Sequence, residues 1–547
     1  MPKNEQLTSD QPQDAASGFF GSEGLFATLL RNIDPRTMVE QSMDLTKAMF
    51  AIATGTSEIA PDPRDARFKD EAWSKNPAYK LLAQAYLTMT EAVEKMIPDD
   101  LSVENKQRAQ LAASIVTSTM SPTNTLLGNP AALTKTIETG GSNLVRGFSA
   151  FLDDLKNNGG LPSQVDDSSF VVGGNLAITP GKIVLRHEMF ELIQYQPPTE
   201  TVHPLPVLLI PPQIGRYYFT DLAPGRSFAE YTVSQGLQYF AISWRNPTPE
   251  QSDWGMDDYA KAALTAIEAV AEITAAPKVN LVGFCAGGIT TTIVMGYLAA
   301  KKRNLINSLA LCVTMLDFNV DASLGAFRFP ALLSVAKAQS AMKGILPGQD
   351  LHKIFTWLRP NDLVWNYWVN NYLMGETPPA FDILAWNKDS TNMPARLHDD
   401  FLTMFEENAI VQPGKYVAMG EGVDLGALKC DAFVVGAVTD HLTPWKACYL
   451  ATKHLGGDCT FALSNGGHVA ALVNPPGNPK AYHYIGPATA PDGESWLEQS
   501  PKLPGSWWES WTKWCGTRSG KQISAPKKLG SKAFPPICDA PGEYVLQ

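Results

Sequence analysis

Gly283-Phe284-Cys285-Ala286-Gly287-Gly288 is the stretch of this chain best equipped for chemistry. It follows a short apolar run, Val279-Asn280-Leu281-Val282, and precedes a helix-like run from Ile289 to Ala300. A strand, a sharp glycine turn and a helix make a nucleophile elbow. The flanking glycines allow the strained turn and let a substrate backbone approach. Cysteine stands where serine is usual. A thiolate is a strong nucleophile and a good leaving group, which suits thioester exchange. A buried core cysteine is the bland alternative, since free thiols are often interior, so the residues around Cys285 decide.

A cysteine nucleophile needs a base, and the base needs an orienting group. On an α/β-hydrolase sheet the chain order is nucleophile, acid, histidine. Of eight histidines, His441, His454, His468 and His483 come late enough in the chain. His468 ends Ser464-Asn465-Gly466-Gly467-His468, a glycine loop directly after the strand-like Phe461-Ala462-Leu463. That is where the order places the base. His454 lies inside a helical run and reads as a solvated helix residue. Asp440 ends Phe433-Val434-Val435-Gly436-Ala437-Val438-Thr439, the position expected of the acid. Asp317 competes, because it ends the strand after the elbow. His441 follows Asp440 and serves as base only if its loop turns inward; otherwise it bonds nearby backbone. An oxyanion hole needs two donors. One is the N–H of Ala286. The other falls in Pro211-Pro212-Gln213-Ile214-Gly215, where prolines cannot donate. Ile214 is preferred, with Gln213 and Gly215 left open.

The elements that must hold these residues alternate. Lys182 to Tyr195 alternates like an entry strand or hairpin. Val207–Ile210, Tyr239–Ser243, Leu309–Leu316 and Phe433–Ala437 are short apolar runs that suit buried parallel strands. Phe461–Leu463 reads as the last strand. Asp257 to Ile273 is helical, with Leu264, Ile267, Val270 and Ala271 on one side. Alternating strands and helices predict a doubly wound α/β domain of the α/β-hydrolase fold over 166–547. An insertion of about 319–423 lacks a clear parallel strand. It is helical and aromatic, with Trp357, Trp365, Trp368 and Trp386, and reads as a cap over the carboxyl ends of the strands. Ordinary packing and the lining of a channel are equally good accounts of those tryptophans. Trp507, Trp508, Trp511 and Trp514 form one aromatic helical face. Before the catalytic region, 25–165 reads as a helical N-terminal region, in which Leu82, Ala85 and Tyr86 share a face. Residues 1–24 are polar and expected to be mobile.

Length and composition narrow the class. At 547 residues the chain exceeds the usual span of one core. Hydrophobic residues make up 44% and charged ones 18%, which is globular. A formal charge of −11 without a basic run argues against nucleic acid as a partner. The seven cysteines show no CxxC and no metal spacing, so no metal is expected. They fit free thiols in a reducing compartment. The first residues carry no apolar signal region, and no apolar run reaches the roughly 18 residues of a membrane span. A cytoplasmic protein is the expectation.

Taken together, the segments resemble the polyhydroxyalkanoate synthases of the single-subunit type. The resemblance is carried by PPQIGRYY at 211, SWRNP at 243, GFCAGG at 283 and RPNDLVWNYWVNNYL at 359. It continues in PPAFDILAWN at 378, TDHLTPW at 439 and GGHVAALVNPPGNPK at 466. They span most of 170–515, and NPAYKLLAQAY at 76 resembles that family's N-terminal region. The resemblance implies an α/β-hydrolase core with a mobile cap and polymerisation of 3-hydroxyacyl-CoA thioesters with release of coenzyme A. Matching positions are Cys285 as nucleophile, His468 as base and Asp440 as third member. His441 matches the family's histidine next to the aspartate, which is not its base. Coenzyme A is then part of the substrate and no separate cofactor is implied. The family also implies the growing polyester and its granule surface as partners, a cytoplasmic location on granules, and a homodimer. WNYWVNNYL, NPPGNPK and the modest length resemble enzymes for medium-length side chains, whereas Gly-Phe-Cys resembles the short-chain class. Medium or broad specificity is the expectation.

Two other classes use parts of the same sequence. A thiol hydrolase, acting as an acyl-CoA thioesterase or an intracellular polyester depolymerase, would use the same three residues with water as acceptor. The N-terminal helical region and the aromatic insertion argue against it. A granule-coating protein would need no ordered Cys, Asp and His set.

Overall fold

The computed structural model describes residues 35–547 apart from Asp321. The stretch 1–24 lies outside the described residues. The chain divides into two compact units. One holds the described residues up to Ser149 together with Gly325–Gln339 and Trp357–Gly375. The other holds Ala150–Leu324, Ser340–Thr356 and Glu376–Gln547.

The second unit is built on one large sheet. Its strands are β1 (Gly181–Arg186), β2 (Phe190–Tyr195), β3 (Thr201–Ile210), β4 (Leu237–Trp244), β5 (Val279–Phe284) and β6 (Ile306–Cys312). They are followed by β7 (Asp431–Ala437), β8 (Cys459–Ser464), β9 (Tyr482–Pro487), β10 (Lys502–Pro504) and β11 (Cys538–Asp539), while the two-residue strand Ile523–Ser524 pairs with the start of β3 off the main path of the sheet. Across the sheet they run β10-β9-β8-β7-β6-β5-β3-β4-β2-β1-β11. The centre, β8 to β4, is parallel. Both flanks are antiparallel. Phe461–Leu463 therefore lies in the last parallel strand but not the last strand. The chain runs on into an antiparallel edge whose partly exposed residues, such as Tyr482, Tyr484 and Lys502, lack a buried run to announce it.

Strands β4 and β5 are buried along their whole length, because helices cover both faces. Their side chains alternate with period two. Leu208, Phe240, Leu281 and Val434 enter one core, and Leu209, Tyr239, Val282 and Val435 the other. The first core is closed by α2 (Met256–Thr274), α3 (Ala286–Ala300) and α4 (Trp445–His454). The second is closed by α1 (Phe228–Ser234) and α6 (Trp507–Arg518). The tryptophan face of α6 stacks on Phe228, with ring centroids 5.8, 5.2 and 5.0 Å away for Trp507, Trp508 and Trp511. The predicted strand Leu309–Leu316 stops at Cys312. Val313 turns it with φ 44°, a conformation a β-branched residue rarely adopts.

The other unit is helical. Pro77–Lys95 is capped by Asn76 and buries Ala83 and Tyr86, whereas Leu82 is exposed. The buried face thus lies one position away from the one the apolar pattern suggested. Trp365 and Trp368 of the aromatic insertion belong here. Trp368 donates its indole N–H to Asn124 O at 3.1 Å, and its ring meets Trp365 and Tyr372 edge-on. Asn143 Nδ2 donates to Leu373 O at 2.7 Å. The insertion is therefore divided: Trp365 and Trp368 go to the helical unit and Trp386 to the sheet unit. Among the described residues no helix is long and apolar enough to cross a membrane.

Candidate active site

Four loops that leave parallel strands of the sheet at their carboxyl ends carry the candidate residues, the usual place for a site on such a sheet. Cys285 follows β5, residues 211–215 follow β3, Asp440 lies beyond β7, and His468 beyond β8.

Cys285 is the elbow. Its φ of 50° and ψ of −123° are strained for a residue with a side chain, at a cost of about 1–3 kcal/mol. The surroundings hold it there. Its N–H bonds Cys312 O at 2.9 Å, and its carbonyl accepts from Gly288 N and from Thr314 Oγ1 at 3.1 Å. Gly287 has no room for a Cβ, which would run into Ile210 O and Pro211; Gly288 would meet the Thr314 side chain. These two glycines let α3 start against β3 and leave the Ala286 N–H at its first turn. Among the described residues that N–H has no hydrogen-bond partner.

His468 opens the short helix α5 (His468–Leu472), with Gly467 as its N-cap. Two tryptophans of α6 moor this helix: Trp507 Nε1 donates to Ala471 O at 2.7 Å and Trp508 Nε1 to Leu472 O at 2.9 Å. His468 Nδ1 lies 2.7 Å from Asp440 Oδ2, both side chains being buried. Asp440 accepts from three further donors: Leu442 N at 2.9 Å, Thr443 N at 3.0 Å and Thr443 Oγ1 at 2.8 Å. Thr443 Oγ1 also sits 3.0 Å from the carbonyl of strained Val313 and 3.2 Å from His468 Nδ1. Sequence reasoning missed Thr443. The spacing Asp-x-x-Thr, an Asx-type turn in which the carboxylate takes the following N–H groups, was its available signal.

Electrostatics follow from this geometry. Burial acts to lower the His468 pKa. The Asp440 carboxylate, first, and the nearby Cys285 outweigh burial and raise it. Burial acts to raise the Asp440 carboxyl, but His468 and Thr443 hold it below the usual value. The other six cysteines are all pushed away from reactivity by burial. The thiols of Cys430 and Cys459 rise to about 11 and that of Cys515 to about 12, with Cys312, Cys448 and Cys538 also raised. All seven cysteines are free.

The competitors are placed elsewhere. Asp317 bonds Asn408 Nδ2 at 2.8 Å and lies 3.3 Å from His454 Nε2, so His454 is an ion-pair partner rather than a solvated helix residue. His483 spends both ring nitrogens on Gly505 O and Ser510 Oγ. His441 is half-buried next to Asp440. In the loop after β3, the Gly215 N–H donates to Thr391 Oγ1 at 2.8 Å, which removes Gly215 as a spare donor. The Ile214 N–H has no partner among the described residues. Gln213 is buried and its amide Nε2 donates to Thr290 Oγ1 at 2.9 Å. Among the described residues no group of three or more His, Cys, Asp or Glu could hold a metal ion.

Comparison with known proteins gives this arrangement a family. Residues 64–232 match the model described as Poly-beta-hydroxybutyrate polymerase (PhaC) N-terminus, and residues 206–475 match the alpha/beta hydrolase fold. The chain is 43% identical to Poly(3-hydroxyalkanoate) polymerase 1 of Ectopseudomonas oleovorans, over 90% of this chain and 88% of that one. It is 41% identical to polymerase 2 of the same organism, over 98% and 97% of the two chains. It is 35% identical to Poly(3-hydroxyalkanoate) polymerase subunit PhaC of Cupriavidus necator, over 99% and 93%. With such identity along nearly its whole length, and with an α/β-hydrolase sheet beneath the site, the chain belongs to the poly(3-hydroxyalkanoate) polymerase family and is an acyltransferase.

Proposed function

We propose that the enzyme joins the 3-hydroxyacyl groups of coenzyme A thioesters into a polyester through an acyl-Cys285 intermediate. One observation carries this reading: the buried Asp440–His468 hydrogen bond, with Cys285 near enough to help raise the His468 pKa. His468 takes the thiol proton and Cys285 Sγ attacks the thioester carbonyl carbon. The carbonyl electron pair moves onto oxygen, and the oxyanion rests on the N–H groups of Ala286 and Ile214. Collapse restores the carbonyl and breaks the bond to coenzyme A, which takes the proton from His468 and leaves as the free thiol. The 3-hydroxyl of another acyl unit then gives its proton to His468 and attacks an acyl thioester, whose departing thiolate takes that proton back. One ester bond forms for each thioester broken. Asp440 stays anionic and steadies the imidazolium. His441 is left an auxiliary role. Coenzyme A enters as substrate, and the steps as written need no other cofactor and no metal.

The names of the relatives support the substrate class. Medium or broad side-chain specificity, a homodimer and attachment to polyester granules in the cytoplasm follow from the family resemblance and are part of the same reading. The test is an assay of coenzyme A release and polymer recovery across 3-hydroxyacyl chain lengths. Cys285→Ala is expected to abolish both while keeping the fold, since alanine is the smaller side chain at the same turn. Polymer made by that variant overturns the acyl-Cys285 reading. Free 3-hydroxy acid in place of polymer from the wild type would make the protein a hydrolase.

A further inference from the structure

Two stretches of the sheet unit far apart in sequence are laced together: the loop after β3, residues 213–218, and residues 386–391 of the insertion. Trp386 Nε1 donates to Arg216 O at 2.7 Å, and its ring packs 5.2 Å from that of Phe219. Asp389 takes Arg216 Nε at 3.1 Å and Tyr218 OH at 3.0 Å. Buried Thr391 is the third tie. Its Oγ1 accepts from Gly215 N at 2.8 Å and donates to Gln213 O at 3.3 Å. A hydroxyl with one proton and two lone pairs can do both at once.

Those two bonds bracket Ile214. Gln213 C=O and Ile214 N–H belong to the same peptide plane. In a trans peptide the N–H points opposite to the C=O. A hydroxyl that holds Gln213 C=O therefore aims Ile214 N–H the other way. The same hydroxyl consumes the neighbouring Gly215 N–H, so one donor of the loop is fixed and left open.

We propose that Thr391 is a positioning residue for the second oxyanion donor: its hydroxyl, supplied by the insertion, sets the direction of the Ile214 N–H. This rests on the acyl-Cys285 reading. The insertion then acts on the chemical step through the loop after β3. Loss of the hydroxyl frees the 213–214 peptide to rotate and weakens stabilisation of the tetrahedral intermediate. Attack on an electrophile that forms no oxyanion is untouched.

The experiment compares two reactions of Cys285 in the full chain. One is single-turnover acylation by a 3-hydroxyacyl-CoA. The other is alkylation by iodoacetamide, a displacement at a saturated carbon. Thr391→Val removes the hydroxyl at nearly constant volume, and Thr391→Ser keeps it. Thr391→Val is expected to slow acylation about 10–100-fold, with the alkylation rate and KM little changed. Thr391→Ser is expected to acylate within about threefold of the wild type, a residual effect of the lost methyl. Equal slowing of acylation and alkylation in Thr391→Val overturns the proposal, because Thr391 would then act through the fold or through His468. Unchanged acylation in Thr391→Val overturns it too. A Thr391→Ser variant as slow as Thr391→Val also overturns it, because the hydroxyl would not be the cause. Failure of the underlying reading looks different: in the wild type, the 3-hydroxyacyl-CoA would leave Cys285 unlabelled, whatever the rate of alkylation.

Discussion

Two aspartate–histidine pairs stand at the carboxyl ends of neighbouring strands, and only one of them is built as a site. Asp317 follows β6 and lies 3.3 Å from His454; Asp440 follows β7 and lies 2.7 Å from His468. Each carboxylate takes a backbone N–H from two residues further on, Asn319 or Leu442, at 2.9 Å. Each takes one neighbouring side chain, Asn408 or Thr443. The differences lie in what surrounds them. Asp440 is fully buried and His468 9% exposed, against 16% and 24% for Asp317 and His454. Only His468 has a cysteine near enough to help raise its pKa, at a strained elbow held by close packing. An acid–imidazole pair after a strand is therefore a common structural device. Burial and a nucleophile convert it into a candidate for chemistry.

Histidine exchange gives the largest contrast. His468→Ala is expected to fail even at first acylation of Cys285, with a loss of at least about 10³-fold in turnover. His454→Ala is expected to keep turnover within about threefold, since an ion pair of this kind contributes mainly stability. His441→Gln is expected to retain activity. A dead His441→Gln beside an active His468→Ala would exchange their roles.

Aspartate exchange sharpens the comparison. Asp440→Asn is expected to acylate slowly and to make very little polymer. A thiol ionises more readily than an alcohol, so first acylation depends less on the acid than elongation does. Single-turnover acylation and steady-state turnover measured on the same preparation decide this, and equal losses in both refute the division of labour. A normal Asp440→Asn with a dead Asp317→Asn would move the acid to Asp317. Thr443→Val comes next in size. It removes one hydrogen bond to a charged group, a loss of about 3–30-fold in turnover.

The sequence announced Cys285, Asp440 and His468 as candidates because each depends on a short stretch of chain: strand, turn residues, then the side chain. Gly287 and Gly288 are required by close approach of Pro211 and Thr314, and their spacing around Cys285 is visible without either neighbour. Other features depend on distant partners. Thr391 meets Gly215 across 176 positions. Neither residue has a local pattern that points to the other. His454 looked solvated because Asp317 reaches it from another strand end. Tryptophans say that a segment will pack but not against what, so Trp368 and Trp386 looked alike although they belong to different units. Leu82 misled for a similar reason. The helical period is right, but the partners of Ala83 and Tyr86, Phe68 and Trp73 among them, fix which face is buried.

The smallest expected effect concerns stability and belongs to the pair that is not the site. The close approach of His454, with help from the hydrogen bonds of Asn319 and Asn408, outweighs burial and holds the Asp317 carboxyl down at about 2. A carboxyl whose folded pKa lies below its unfolded value stabilises the fold above the unfolded pKa, near 4, and loses that contribution as pH falls through the folded value. Partial exposure and screening reduce the contribution to about 1–2 kcal/mol. Asp317→Asn is therefore expected to be less stable than the wild type at pH 6, and the gap should close as the pH falls from about 4 towards 2. Urea midpoints of the two proteins across that range measure it. A gap that stays constant would mean that the Asp317 charge adds nothing and that its hydrogen bonds, which asparagine partly keeps, account for the difference. A gap that widens on acidification would reverse the sign and place the carboxyl among those that fold best when protonated.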